Sequence, residues 1–143
     1  MADIRHSILI DAPAEKVRPL FSSAAGFSRW WAADSVQSEN DGSVELGFFS
    51  RNTVYRLRPG KQAPDEVVWE CDSGKEWNGT ELRFLSESSG TSTLVRFVHG
   101  NWQEETDYFV SCNTTWGALM YRLKAAAEGK SLGPLFTADG QAY

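Results

Sequence analysis

An imidazole gives or takes a proton near neutral pH, and the 143-residue sequence holds only two, His6 and His99. His99 closes the run Leu94-Val95-Arg96-Phe97-Val98-His99, in which Val95 and Phe97 alternate with Arg96. In an extended strand His99 therefore shares the apolar face. There it can hydrogen-bond a ligand carbonyl or hydroxyl, or act as a general acid or base, and it is the one candidate for catalysis. It can equally be a structural histidine held by backbone or by a neighbouring Trp or Thr, the commoner use of a buried polar group. Trp102 follows three positions later. His6 faces the same interior from the first strand or sits at an edge. The two histidines are far apart in sequence and no third ligand of suitable spacing accompanies them, so no metal site is expected.

Six tryptophans, Trp30, Trp31, Trp69, Trp77, Trp102 and Trp116, form the second constellation. Indole rings stack on flat ligands and orient them through the N–H, and they also fill ordinary cores. Tyr55 is a candidate polar handle or rim residue. Cys71 and Cys112 are expected as free buried thiols. A redox pair or a nucleophile would need a lowered thiol pKa, and no activating base is evident nearby. No nucleophile elbow, phosphate loop or zinc-protease motif occurs, and no cofactor is expected. Arg51, Arg56 and Arg58 share or flank an outward strand face, solvated or offering a basic spot to a partner protein.

These side chains need a scaffold, and the composition supplies one. Hydrophobic residues make up 41% and charged residues 23%, as in globular domains that fold without a partner. One domain over residues 1–136 is expected, with 137–143 as a flexible tail. The net charge of −5 and the absence of any Lys/Arg cluster argue against nucleic acid as a partner. No run approaches the 18–20 or so apolar residues of a membrane span, and the N-terminus lacks a signal-peptide pattern; the expected location is cytoplasmic.

The spacing predicts a strand over Ile4–Asp11 and a short helix over Pro13–Ser22, with Asp11 as a cap and Val17, Leu20 and Phe21 on its buried face. A second short helical stretch carries Phe27, Trp30 and Trp31. From Ser35 the period changes to two, placing strands near 35–39, 44–49, 53–58, 66–72, 80–86 and 93–100, with turns at Asp41-Gly42, Pro59-Gly60 and Ser89-Gly90. Parity directs inward Val44, Leu46, Phe48, Tyr55, Leu57, Val67, Trp69, Cys71, Leu82, Phe84, Val95, Phe97 and His99. The segment 104–128 lacks proline and carries a stripe of Phe109, Cys112, Trp116, Leu119, Met120, Leu123 and Ala127, a long helix closed by Gly129. An antiparallel sheet curled around that helix buries every apolar face. A cavity is expected where the two short helices fail to fill the gap at the sheet's open end. Its expected lining is Phe48, Tyr55, Trp69, Phe84, Phe97 and His99 from the strands, with Trp30, Trp102, Cys112, Trp116 and Met120 around them. Leu132–Phe136 is an apolar stretch able to dock back.

The opening Ser7-Ile8-Leu9-Ile10-Asp11-Ala12-Pro13-Ala14-Glu15-Lys16-Val17, followed by Trp30-Trp31, resembles the start of the SRPBCC or START-like superfamily. That superfamily includes birch-pollen-type allergens, polyketide cyclases, steroidogenic lipid-transfer domains and homologues of the heat-shock-protein-90 ATPase activator. Trp77-Asn78-Gly79-Thr80-Glu81-Leu82-Arg83-Phe84, His99-Gly100-Asn101-Trp102, and Cys112 to Gly129 with Trp116, Leu119, Leu123 and Glu128 are similar to the activator-homologue branch. The resemblance covers nearly the whole chain. It implies an α+β helix-grip fold: a curved antiparallel seven-stranded sheet around a long C-terminal helix, two short helices after the first strand, and a hydrophobic cavity for a lipid, sterol, polyketide or aromatic compound. Fold analogy alone does not assign a function. Three functions are expected as alternatives: non-enzymatic binding of a small hydrophobic or aromatic molecule, a cyclase- or hydrolase-like enzyme with His99 as acid–base, or a chaperone-associated module with a chaperone or homodimer contact.

Overall fold

The computed structural model describes residues 2–130 and 132–141. Strand β1 (Ala2–Ile10) leads into two short helices, α1 (Ala14–Val17) and α2 (Ala24–Phe27), separated by a 3-10 turn at Arg18–Leu20. Strands β2 (Asp34–Gln37), β3 (Val44–Phe48), β4 (Thr53–Ala63), β5 (Glu66–Cys71), β6 (Glu81–Ser89) and β7 (Ser92–Trp102) follow. Helix α3 (Asp107–Ala127) comes next, and a small hairpin of β8 (Phe136–Thr137) and β9 (Gly140–Gln141) ends the described chain. The seven long strands form one antiparallel sheet in the order β1-β7-β6-β5-β4-β3-β2. This is the α+β fold expected from the sequence. No helix among the described residues is long and apolar enough to cross a membrane.

The ladder carries one apolar face across the sheet, because Leu57 pairs with Cys71, Trp69 with Leu82, Phe84 with Phe97, and Leu82 with His99. All thirteen residues assigned inward are buried except Tyr55, which is half-buried. The outer face is charged: Arg51 meets Asp34 and Glu45, Arg56 meets Asp41, and Arg58 meets Asp72. Each of these arginines thus faces a carboxylate, so the three make no unbalanced basic spot.

Several local expectations need correction. The first helix is shorter than 13–22, because Pro19 has no N–H to continue an α-helical ladder and the chain tightens to a 3-10 turn. Its N-cap is Pro13, without a side-chain bond, and the Asp11 N–H instead donates to Glu128 Oε2 at 2.8 Å. Pro59-Gly60 is no turn. It lies within β4 at a register shift between Pro59 and Gln62, where a missing donor and a missing Cβ are tolerated, and the chain reverses only after Ala63. Helix α3 starts at Asp107 because Thr106 caps it, its Oγ1 accepting from the Phe109 N–H at 3.2 Å. At its other end the Lys130 N–H reaches the Ala125 carbonyl and the Gly129 N–H reaches that of Ala126, with Gly129 at φ +82°. This is a Schellman closure that glycine favours.

The gap beneath the short helices is filled. Phe21 stacks on Phe84 at 4.6 Å, Phe27 meets Trp69 at 5.6 Å, and Trp31 meets Trp116 at 4.9 Å. Trp30 and Trp69 send their indole N–H groups to the carbonyls of Leu20 and Phe21, at 2.7 and 2.9 Å. The apolar stretch 132–136 docks back, with Leu135 and Phe136 donating to the carbonyls of Trp30 and Trp31. Of the expected tail, Thr137 and Gly140–Gln141 pair with or continue this segment as the hairpin, while residues 142 and 143 lie outside the described residues.

Candidate functional site

With the centre closed by aromatic rings, the space lined by rings lies at one edge, between the β3–β4 end of the sheet and the first half of α3. It is a cleft of about 260 Å³. One wall is aromatic, from Trp31, Phe48, Phe49, Tyr55, Trp77 and Phe136; the other is the α3 face of Tyr108, Ser111, Cys112, Thr115, Trp116 and Leu119. Thr53 and Gln141 complete the lining, and no charged side chain contributes to it.

Local backbone choices build each part. Helical spacing puts Tyr108, Ser111, Cys112 and Thr115 on one side. The turn between β3 and β4 holds Phe49, Ser50 and Arg51 at φ +53°, +56° and +66°, a left-handed run costing roughly 1–2 kcal/mol per non-glycine residue. The Arg51 guanidinium offsets this by gripping the Asp34 carboxylate with two bonds, at 2.8 and 3.1 Å, and Glu45 at 3.1 Å. Gly47 makes room for the clamp, since a Cβ there would sit 2.2 Å from Asp34 Oδ2. The turn therefore carries Phe49, half exposed, edge-on to Phe136 at the cleft mouth.

At the other end Tyr55 stacks on Trp77 at 4.2 Å, and its hydroxyl shares a 2.5 Å hydrogen bond with that of Tyr108. This phenol pair ties β4 to α3. Gly74 permits the stack, because a Cβ there would meet the Tyr55 ring at 2.4 Å. Burial raises both phenols above the ordinary tyrosine range, so both are protonated donors at neutral pH. Burial likewise raises the Cys112 thiol, and pushes Cys71 up to about 12. Both cysteines are therefore thiols rather than thiolates, which removes the basis for nucleophilic or redox reactivity at neutral pH.

His99 sits behind this cleft, fully buried. The Trp116 Nε1–H donates to His99 Nδ1 at 3.1 Å, so Nδ1 is the bare nitrogen and Nε2 carries the proton. That Nε2–H points at Thr80 Oγ1, 2.9 Å away, whose own hydroxyl donates to the Trp77 carbonyl at 2.6 Å. Both ring nitrogens are satisfied by protein, and burial lowers the imidazole to about 3.

Of the residues expected to touch a ligand, Phe48, Tyr55, Cys112 and Trp116 come together on the cleft wall. Trp30, Trp69, Phe84, Phe97, His99, Trp102 and Met120 are buried in the surrounding core and do not line it. Trp31, Trp77 and Leu119 line it too, though they were expected only as members of the tryptophan constellation and the helix stripe, and sequence reasoning missed Phe49, Thr53, Tyr108, Ser111, Thr115, Phe136 and Gln141 altogether. The signal available for three of them was a second helical stripe, 108-111-115, beside the apolar one. Among the described residues no cluster of His, Cys, Asp or Glu is arranged to hold a metal ion.

A curved seven-stranded antiparallel sheet closed on one long C-terminal helix, with a lateral cleft between them, defines a START-like protein. No family model matches the sequence, and neither does any curated protein. Among solved structures the chain is similar to the Aha1 dimer from Colwellia psychrerythraea, with 31% identity over 90% of this chain and 97% of that one, at a TM-score of 0.79. CalU16 from Micromonospora echinospora has the same fold at 16% identity and TM-score 0.72, over 92% of this chain and 68% of its own. So does a protein from Mesorhizobium loti, at 9% identity and TM-score 0.76, over 92% and 100% of the two chains. The chain belongs to the SRPBCC, or START-like, superfamily, in the branch resembling the heat-shock-protein-90 ATPase activator homologues.

Proposed function

We propose that this protein binds a small, neutral aromatic molecule in the cleft and carries out no reaction on it. The observation that carries this reading is an apolar, ring-lined space of about 260 Å³ with no charged side chain in its wall. Size narrows the ligand. A dry cavity of about 150 Å³ holds a benzene ring, and drug-sized ligands need roughly 300–1,000 Å³. One or two fused rings match the volume of this space. Binding is favoured over acid–base catalysis because His99, the one candidate, has both nitrogens engaged and lies behind Trp116. The test uses tetralin as probe, followed by chemical-shift titration of backbone amides. Wild-type protein is expected to show saturable shifts centred on cleft residues. Ser111→Trp places a large ring in the cleft from an exposed helix position and is expected to weaken binding at least tenfold with an unchanged unfolding midpoint. Absence of saturable shifts in the wild type would refute the reading.

A second reading has its own support: the relative at 31% identity, which this chain matches over nearly its full length, is a dimer. We propose that this chain also self-associates. Sedimentation equilibrium at tens of micromolar is expected to give twice the 15.9 kDa chain mass. A monomer mass at every concentration counts against it.

A further inference from the structure

Strand β1 is an edge of the sheet, since its one neighbour is β7. Its even-numbered residues Ile4, His6, Ile8 and Ile10 are buried or half-buried, whereas Arg5, Ser7 and Leu9 are exposed. The backbone alternates as well. The Leu9 carbonyl accepts from Lys124 Nζ at 3.0 Å and the Asp11 N–H donates to Glu128, both on the side away from β7. The N–H and C=O groups of Arg5 and Ser7 therefore point to that same side, and among the described residues no hydrogen bond is made to them there. An unpaired strand edge is a template for another strand, and folds normally blunt it. The opposite edge is blunted. Strand β2 has only four residues, its Gln37 Oε1 takes the Ala24 N–H at 3.0 Å, and next to it the Ala33 N–H bonds the Phe136 carbonyl. Strand β1 has nine residues and no proline, and it is closed only at its Leu9 end.

Two large apolar side chains flank the open edge: Leu9, 54% exposed on the strand, and Tyr121, 70% exposed on α3. Tyr121 falls between Gly117, where a Cβ would lie 3.6 Å from the His6 ring, and Lys124, which reaches Leu9, so it belongs to the helical line that runs along β1. Resting on the self-association proposed above, we infer that a second copy of this chain adds antiparallel along β1, about a two-fold axis at Ser7. In this register Arg5 of each copy lies opposite Leu9 of the other and Ser7 opposite Ser7, so all three outward residues exchange backbone bonds. A register centred on Arg5 would set two guanidinium groups face to face, and one centred on His6 would run into the irregularity between Ala2 and Ile4. Charge agrees with the Ser7 register. Asp11 lies two residues beyond Leu9, on the diagonal from Arg5 of the other copy, and among the described residues it has no ion-pair partner. Arg5 meets Asp3 at 3.5 Å, and Asp3 Oδ1 already holds the Asn101 N–H.

The experiment measures the dimer dissociation constant by sedimentation equilibrium and amide hydrogen exchange at two protein concentrations. Ser7→Pro removes an outward donor without touching the β1–β7 ladder, and Leu9→Lys sets a charge opposite Arg5. Each is expected to weaken the dimer at least tenfold. Val36→Lys, on the exposed face of β2, is the control and is expected to change it less than twofold. Arg5→Glu is expected to weaken it at least tenfold, and Arg5→Glu/Asp11→Arg to restore it to within threefold of wild type. In the wild type the Arg5, Ser7 and Leu9 amides are expected to exchange at least tenfold more slowly at the higher concentration, while those of His6 and Ile8 stay protected at both by β7. The exchange measurement needs no variant, so it decides the matter even if Ser7→Pro fails to fold. A wild-type dimer whose Ser7 amide exchanges at a rate independent of concentration, or whose dissociation constant is unmoved by Leu9→Lys, overturns the edge assignment while self-association stands. Loss of the dimer in Val36→Lys alone places the contact at β2 and overturns it likewise, and no recovery in Arg5→Glu/Asp11→Arg overturns the Ser7 register. A wild type that is monomeric at every concentration removes the self-association reading itself.

Discussion

Trp116→Ala is expected to remove most of the stability of the fold. The side chain is 2% exposed and packs on Phe97 at 4.1 Å and Trp31 at 4.9 Å. Truncating a buried Trp to Ala costs about 3–5 kcal/mol through lost transfer energy and the cavity left behind. The same change strips His99 Nδ1 of its donor, and a buried acceptor left alone costs roughly another 1–3 kcal/mol. Together these rival the roughly 5–15 kcal/mol that hold a typical domain folded. Trp116→Phe separates the contributions. It retains a ring between Phe97 and Trp31 but deletes the N–H, so its loss is expected to be less than half that of the alanine variant. Urea midpoints of the three proteins measure this. A Trp116→Ala protein within 1 kcal/mol of wild type would mean that the indole does not join sheet to helix as described. The same reasoning makes that variant unsuitable for testing ligand binding, since lost binding would follow from lost structure.

Much of the sheet was legible because period two is a local property. Arg56, Arg58 and Arg96 mark the wet parity, and the opposite parity gave the buried row from Val44 to His99. Helix α3 was legible for a similar reason: its stripe of Phe109, Cys112, Trp116, Leu119 and Leu123 is buried throughout. The cleft was read less well, because where space remains depends on how particular rings interlock. Phe21, Phe27, Trp30 and Trp31 have the spacing of short helices, but nothing in that spacing says their rings reach Phe84, Trp69 and Trp116 and close the centre. Phe49 enters the site through three successive left-handed residues, none of them glycine, a conformation set by the Arg51–Asp34 clamp rather than by local preference. Phe136 reaches it from the C-terminal segment through backbone bonds to Trp31 and Ala33, a pairing of distant segments that no local pattern encodes.

The buried network that fixes the back of the cleft also makes the protein sensitive to acid in a defined window. His99 titrates near 6.5 in an unfolded chain and near 3 in the folded one, because burial disfavours the imidazolium. Between those values the unfolded chain holds one proton more than the folded chain, so stability is fully present above about pH 6.5 and falls as pH falls. The slope approaches about 1.4 kcal/mol per pH unit, giving a loss of about 2–3 kcal/mol by pH 4.5 and roughly 4 kcal/mol by pH 3. The carboxylates held below their ordinary values of 3.8 to 4.5 by hydrogen bonds and cations, Asp41, Glu66 and Glu128, lose their contribution only as pH falls below about 4.5. The interval from pH 6.5 to 4.5 therefore isolates the imidazole from these three groups. His99→Asn removes the titrating group while its side-chain carbonyl can still accept from Trp116. It is expected to be less stable than wild type at pH 7, yet to lose about 2 kcal/mol less between pH 6.5 and 4.5. Urea unfolding at half-unit pH steps reads both slopes, and equal slopes in the two proteins would show that His99 is already free to protonate in the fold. Such a result would also reopen acid–base chemistry at this residue, because the argument against it depends on the imidazole staying neutral and enclosed between Trp116 and Thr80.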